Sequence, residues 1–200
     1  MIKSVIFDLG RVLLTFEPVE YLNKLYGNGE KARILYNAVF GSKTWLDLDR
    51  GTIDYEKAKR VMASEFANYA EDIDFLMDNW VEIMAPIEDN IAILKELRLK
   101  GFKLFLLSNF HREAYDRVSK KYDFFKLFDG IFISSHYGLL KPEREIFLTM
   151  LNKFLLAPSE CIFIDDTQIN VSAAEELGIT GIVYTEPQRL RQKLEELKIL

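Results

Sequence analysis

Lys3-Ser4-Val5-Ile6-Phe7-Asp8-Leu9-Gly10 opens the chain with a short apolar run, rich in β-branched and aromatic residues, that stops on a carboxylate. Such a run reads as a buried strand. Gly10, two residues on, lets the backbone turn sharply and leaves the Asp8 carboxylate at the strand tip. In an open parallel α/β sheet, ligands bind in the crevice beyond the carboxyl ends of the strands, which makes Asp8 a candidate nucleophile or metal ligand. One aspartate after one strand is more often a turn cap, so the rest of the chain has to carry the reading.

Later strand-like runs fall at Phe102 to Ser108, Gly130 to Ser135, Cys161 to Asp165 and Thr180 to Thr185. They recur at the spacing of crossover units, which predicts an α/β fold with a parallel sheet. The interval between Asp8 and Phe102 is far longer than one crossover needs. Ile87 to Lys100 supplies the crossover helix, with Ile91, Leu94 and Leu97 on one face and Gly101 as a stop. The preceding residues are surplus and carry no convincing strand. Val19 to Tyr26, Lys31 to Phe40, Tyr55 to Ala70 and Ile73 to Met84 read as helices, with Asp54 and Asp72 as caps. The expected organisation is a core of residues 1–15 and 86–200, with a helical cap of residues 16–85 inserted after the first strand. Pro86 marks the return, because the residue before a proline is pushed out of helical geometry. A module with two adjacent attachments can hinge over the crevice; the other reading is that these helices pack permanently as part of one fold. Pro187 to Leu200 reads as a surface helix.

Hydrophobic residues at 49% and charged residues at 28% describe a soluble globular protein. The net charge of -5 comes with mixed signs and no basic block, so nothing points to nucleic acid. The single cysteine, Cys161, sits in an apolar run and reads as a buried side chain. With no disulfide framework, no signal peptide ahead of the first strand and no apolar run of membrane-spanning length, the expected location is the cytoplasm.

Four strand ends carry polar residues suited to one site: Asp8, then Ser108 with Asn109, then Lys141 a short loop after the third strand, then Asp165 with Asp166. A hydroxyl and an amide N–H donate to phosphate oxygens, and a lysine adds compact positive charge. Three carboxylates repel each other unless a cation shares them. Mg²⁺ suits oxygen ligands of this kind and is commonly held together with substrate phosphate. The set points to phosphoryl transfer onto Asp8.

The stretch Val5-Ile6-Phe7-Asp8-Leu9-Gly10-Arg11-Val12-Leu13-Leu14 resembles the first motif of the haloacid dehalogenase-like hydrolases. Leu106-Leu107-Ser108-Asn109 is similar to their second motif, Gly138-Leu139-Leu140-Lys141-Pro142 to the third, and Ile162-Phe163-Ile164-Asp165-Asp166-Thr167-Gln168-Ile169-Asn170 to the fourth. The surplus helices lie where that family inserts a helical cap. The resemblance implies a Rossmann-like core, Mg²⁺ and phosphatase activity on a small phosphorylated metabolite through a phospho-aspartate at Asp8. Ser108 would hold the transferring phosphate and Lys141 would steady nucleophile and phosphate. Asp8, the Gly10 carbonyl and Asp166 would ligate the metal, with Asp165 assisting.

One position departs from the pattern. Phosphatases of this family usually carry a second aspartate two residues after the nucleophile, as acid and base, where this chain has Gly10. The Asp-Leu-Gly form is similar to a subgroup of bacterial sugar-phosphate phosphatases, including a glucose-1-phosphate phosphatase. An acidic leaving alcohol tolerates a missing proton donor better than a plain alkoxide. Arg50 lies where a cap loop enters the site and is a candidate for recognising a substrate oxygen; Arg11 faces either the crevice or the surface. His111 and His136 have no carboxylate at a telling spacing and read as structural. Asn170, one helical turn beyond Asp166, orients that residue or caps locally. Two other functions compete: a 2-haloacid dehalogenase-type hydrolase, which attacks carbon without a metal, and a catalytically weak binding or regulatory protein of the same fold. Adjacent Asp165 and Asp166 argue against the first, and retention of Asp8, Lys141 and Asp166 against the second.

Overall fold

In the computed structural model, which describes residues 1–200, five strands form one parallel sheet: β1 (Ser4–Phe7), β2 (Lys103–Ser108), β3 (Gly130–Ile133), β4 (Cys161–Asp165) and β5 (Thr180–Val183). Their order across the sheet is β3-β2-β1-β4-β5. The chain moves outward from β1 on one side, then returns to lay β4 on the other, so the order reverses beside β1. That reversal opens a crevice at the carboxyl ends of β1 and β4. Parallel register pairs Phe7 with Ile164, and the Asp8 amide donates to the Ile164 carbonyl at 2.9 Å. Asp8 and Asp165 are thereby set side by side.

Alternation along the strands sorts the core to two faces. Ile6, Phe105, Leu107, Phe132 and Phe163 join a cluster of 12 buried residues under α8 (Arg144–Phe154) and α9 (Gln168–Glu175). Val5, Phe7, Leu104, Leu106, Ile162 and Ile164 face the other way, into a cluster of 40. That larger cluster includes Leu94 and Leu97 of α6 (Glu88–Leu99), and it continues into the inserted helices through Leu22, Leu35, Trp45, Leu76 and Trp80. Both strand faces are covered, which is why these strands read as unbroken apolar runs.

Residues 16–85 carry five α-helices and no strand: α1 (Pro18–Tyr26), α2 (Glu30–Ala38), α3 (Lys43–Arg50), α4 (Tyr55–Glu65) and α5 (Ala70–Asn79). Asp49 and Arg50, expected in a loop, end helix α3. Its signals are at its ends: Ser42 accepts from the Trp45 amide at 3.0 Å, and Gly51 follows at φ 79°, left-handed. Asp54 caps α4 by accepting from the Lys57 amide at 2.8 Å. Asp72 is not a cap; it sits in the first turn of α5 and pairs with Lys31 at 2.7 Å. Entry and exit run side by side, with the Thr15 amide donating to the Ala85 carbonyl at 2.8 Å and the Ile87 amide to the Leu13 carbonyl at 2.9 Å. The last helix, α10 (Pro187–Glu196), buries Leu190 and Leu194 and exposes its charged face. No helix is long and apolar enough to cross a membrane.

Candidate active site

Asp8 follows β1 directly, Ser108 ends β2 and Asp165 ends β4, so the strand register alone brings three of the expected residues together. Lys141 arrives from the loop before α8. Its Nζ lies 2.7 Å from Asp8 Oδ1 and 2.6 Å from Asp165 Oδ2, with the lysine side chain 2% exposed. Asn109 fixes that loop: its Oδ1 accepts from the Lys141 amide at 2.8 Å and its Nδ2 donates to the Lys141 carbonyl at 3.0 Å. The expectation for Asn109 was a contact to substrate; the structure gives it a positioning role as well as a place on the cavity wall.

The charges explain each other. Burial pushes the Asp8 carboxyl up to about 7, with Lys141 pulling against it and Asp165 adding to the rise. Burial by itself would lower the Lys141 ammonium, but the flanking Asp8 and Asp165 outweigh it and raise it. Asp166 is raised by burial first and by Asp165 second. Asp165 is fully buried and committed: besides Lys141 it accepts from the Thr167 amide at 2.8 Å and from Asn170 Nδ2 at 3.0 and 3.1 Å. Asn170 therefore orients Asp165, instead of orienting Asp166 or capping locally. Asp165 in turn holds Lys141 from behind, while Asp8 and Asp166 face the cavity.

A cavity of about 220 Å³ lies over these residues. Asp8, Gly10, Arg11, Ser108, Lys141 and Asp166 line its floor, and Phe16, Trp45, Trp80, Met84 and Phe110 form an apolar wall on the side of the inserted helices. Ligand atoms of Asp8, Asp165 and Asp166 lie within 4.8 Å of one another. Carboxylate oxygens this close, with Gly10 on the same wall, form a donor set of hard oxygens, the kind that holds a divalent cation such as Mg²⁺. Gly10 is not the left-handed residue of this turn; Arg11 is, at φ 59°. Arg11 faces the crevice, its Nη1 3.9 Å from Asp166 and its Nε donating to the Phe16 carbonyl at 3.0 Å.

Arg50 is not brought to the cavity. Its guanidinium grips Glu143 and donates to the Gly138 carbonyl at 3.1 Å, tying the end of α3 to the loop that carries Lys141. The neighbouring Asp49 lines the cavity instead. Successive helix residues point roughly 100° apart, so a one-residue error selects the wrong side chain. His111, set aside in the sequence reading for want of a carboxylate, finds one here: its Nδ1 lies 3.3 Å from Asp49 Oδ1. No local spacing could show a pair 62 residues apart. His136 stays outside the site, its imidazole lowered by burial and by Arg112. Cys161 is buried as expected, and burial pushes its thiol up to about 11.

The chain is similar to several known proteins. A sesquiterpene phosphatase of Aspergillus oryzae is 25% identical over 195 residues, 98% of this chain and 96% of that protein. The crystal structure of a HAD-family enzyme from Bacteroides thetaiotaomicron in complex with magnesium and inorganic phosphate is 23% identical, with a TM-score of 0.73 over 92% of this chain and 95% of that one. The L-2-haloacid dehalogenase of Xanthobacter autotrophicus with chloropropionic acid covalently bound shares the fold at a TM-score of 0.68 and 17% identity, over 100% of this chain and 85% of that one. A sequence model of haloacid dehalogenase-like hydrolases matches residues 2–178, and the chain belongs to that family of enzymes.

Proposed function

We propose that this hydrolase is a Mg²⁺-dependent phosphatase of a small phosphorylated metabolite, acting through a phospho-aspartate at Asp8. The observation that carries the reading is the placement of Asp8 against Lys141 Nζ at 2.7 Å, beside Asp166, on the floor of one cavity. Asp8 would attack phosphorus in line and form an acyl phosphate. Ser108 and Lys141 would hold the transferring oxygens, and Asp165 and Asn109 would keep Lys141 aimed. Bound at Asp8, Asp166 and the Gly10 carbonyl, Mg²⁺ would supply charge neutralisation on the phosphoryl oxygens. Water would then release phosphate from Asp8. The inserted helices would act as a cap that excludes bulk water from the cavity.

Phe16, Trp45, Trp80, Met84 and Phe110 give the cavity an apolar face, with Asp49 and Asn109 among its polar lining. That face supports a compact leaving group with an apolar side over a hydroxyl-rich one, in keeping with the phosphatase of A. oryzae that is named for a sesquiterpene substrate. A cytoplasmic setting belongs to the same proposal. The test is phosphate release from a panel of phosphorylated metabolites, with Mg²⁺ and with chelator, for the parent and for Asp8→Asn. Turnover that needs both Mg²⁺ and Asp8 is expected. Parent-level release by the variant would remove Asp8 from the mechanism, and full activity in chelator on 2-haloacids would establish a dehalogenase.

A further inference from the structure

Cleaving a phosphate ester of an ordinary alcohol leaves an alkoxide that needs a proton. The titratable side chains on the cavity wall are Asp8, Arg11, Asp49, Lys141 and Asp166. Asp8 is the attacking group. Lys141 is held between Asp8 and Asp165. Asp166 belongs to the acidic cluster at the floor, and Gly10 carries no side chain. A guanidinium such as that of Arg11 does not release its proton in a protein. Asp49 is the group left over, and it reaches the cavity from α3 of the inserted helices.

We infer that Asp49 is the proton donor to the leaving oxygen and that His111 is its positioning residue. The inference rests on the phosphatase reading above. His111 is 1% exposed and ringed by Trp45 and Trp80 at 5.3 Å, Phe110 at 5.8 Å and Tyr55 at 5.9 Å between ring centroids. Its Nε2 is buried without a partner, whereas Nδ1 faces Asp49 Oδ1 at 3.3 Å. An unpartnered N–H in an aromatic sheath is costly, so a ring hydrogen belongs on Nδ1, toward Asp49, and not on Nε2. The backbone on both sides of the pair is pinned by one hydroxyl. Ser134 Oγ donates to the Asp49 carbonyl and accepts from the Phe110 amide, the latter at 2.9 Å. Such a pair is built to hold one carboxyl in one orientation.

As the Asp8 oxygen bonds to phosphorus and the bond from phosphorus to the leaving oxygen breaks, Asp49 gives its proton to that oxygen and the alcohol departs. The Asp49 carboxylate so formed is stabilised by the His111 Nδ1–H. When water attacks the phosphorus of phospho-Asp8, Asp49 takes the proton from that water, phosphate leaves and both aspartates return to their starting forms.

The experiment is a leaving-group series, from aryl phosphates with acidic alcohols to alkyl phosphates, measured as kcat/KM with saturating Mg²⁺. A parent that protonates its leaving group shows a shallow dependence on alcohol pKa. In Asp49→Asn the dependence becomes steep, with a loss that grows along the series toward about 10²–10⁴-fold on alkyl esters, the usual contribution of a general acid. His111→Asn steepens it in the same direction by less. A steep parent series overturns the inference without any variant, so misfolding of Asp49→Asn cannot shelter it. A loss by Asp49→Asn that is uniform along the series also overturns it and makes the pair purely structural. A parent that releases no phosphate from any ester refutes the phosphatase reading and this inference together, which separates the two failures.

Discussion

Lys141→Met removes the ammonium that separates Asp8 from Asp165 at 2.7 and 2.6 Å and leaves two buried carboxylates with no cation between them. Removing one partner of a buried ion pair costs about 3–5 kcal/mol, because the remaining charge is neither solvated nor paired. For a domain of this size each kcal/mol is worth about 2–4 °C, so the melting temperature should fall by roughly 6–20 °C. The assay is thermal unfolding followed by circular dichroism at neutral pH in chelator, so that no added cation replaces the ammonium. Adding Asp165→Asn to Lys141→Met removes one of the stranded charges and should recover part of the loss. A fall of less than about 3 °C in the single variant, or a further fall in the double variant, would refute the view that Lys141 is the electrostatic centre of the site.

Two more outcomes follow from the geometry. Gly10→Asp is expected to fold normally, because an added Cβ meets nothing nearer than Phe16 Cβ at 3.9 Å and the left-handed backbone belongs to Arg11. Combined with Asp49→Asn, it should restore part of the alkyl phosphate activity, within the hundredfold to ten-thousandfold range of a general acid, roughly as alignment allows; no recovery at all would mean that position 10 cannot reach the leaving oxygen. Arg50→Met removes the ion pair to Glu143, whose carboxyl lies below its usual value of 4.5, chiefly through the hydrogen bond from Arg50. A lowered folded value stabilises the protein at neutral pH, and that contribution is lost as acid takes pH down through it. The two side chains are 32% and 34% exposed, so solvent screening limits the difference between parent and variant to about 0–1 kcal/mol at neutral pH. Urea unfolding should show that difference vanish in acid; one that persists unchanged below the carboxylate range would contradict the pairing.

What the sequence made legible is what local pattern determines. The run at β1 ends on Asp8 because a strand covered on both faces must be apolar throughout, and Cys161–Asp165 is visible for the same reason. Strand ends then converge by topology, which is why Asp8, Ser108 and Asp165, with Lys141 from the loop after β3, form one group already in the sequence. Helix α3 was hidden because its eight residues include four charged ones and only its flanking Ser42 and Gly51 mark it. Without that helix, Asp49 and Arg50 could not be assigned to opposite tasks. The pairing of His111 with Asp49 depends on how α3 docks against the core near Ser134 and Ser135. An added Cβ on Gly51 would come within 2.2 Å of the Ser135 carbonyl oxygen, so that close approach requires glycine. Contacts of this kind are tertiary and leave no periodic trace in the chain.

The proposed phospho-aspartate places the transferred phosphoryl group on Asp8. The direct measurement is a rapid acid quench of the parent during turnover of an aryl phosphate labelled at phosphorus, followed by peptide mapping of the protein-bound label. Label is expected on the peptide containing Asp8, at a level that rises and decays with turnover and is absent in Asp8→Asn. Phosphate released while no label ever appears on Asp8, or label found on another residue, would contradict the phospho-aspartate.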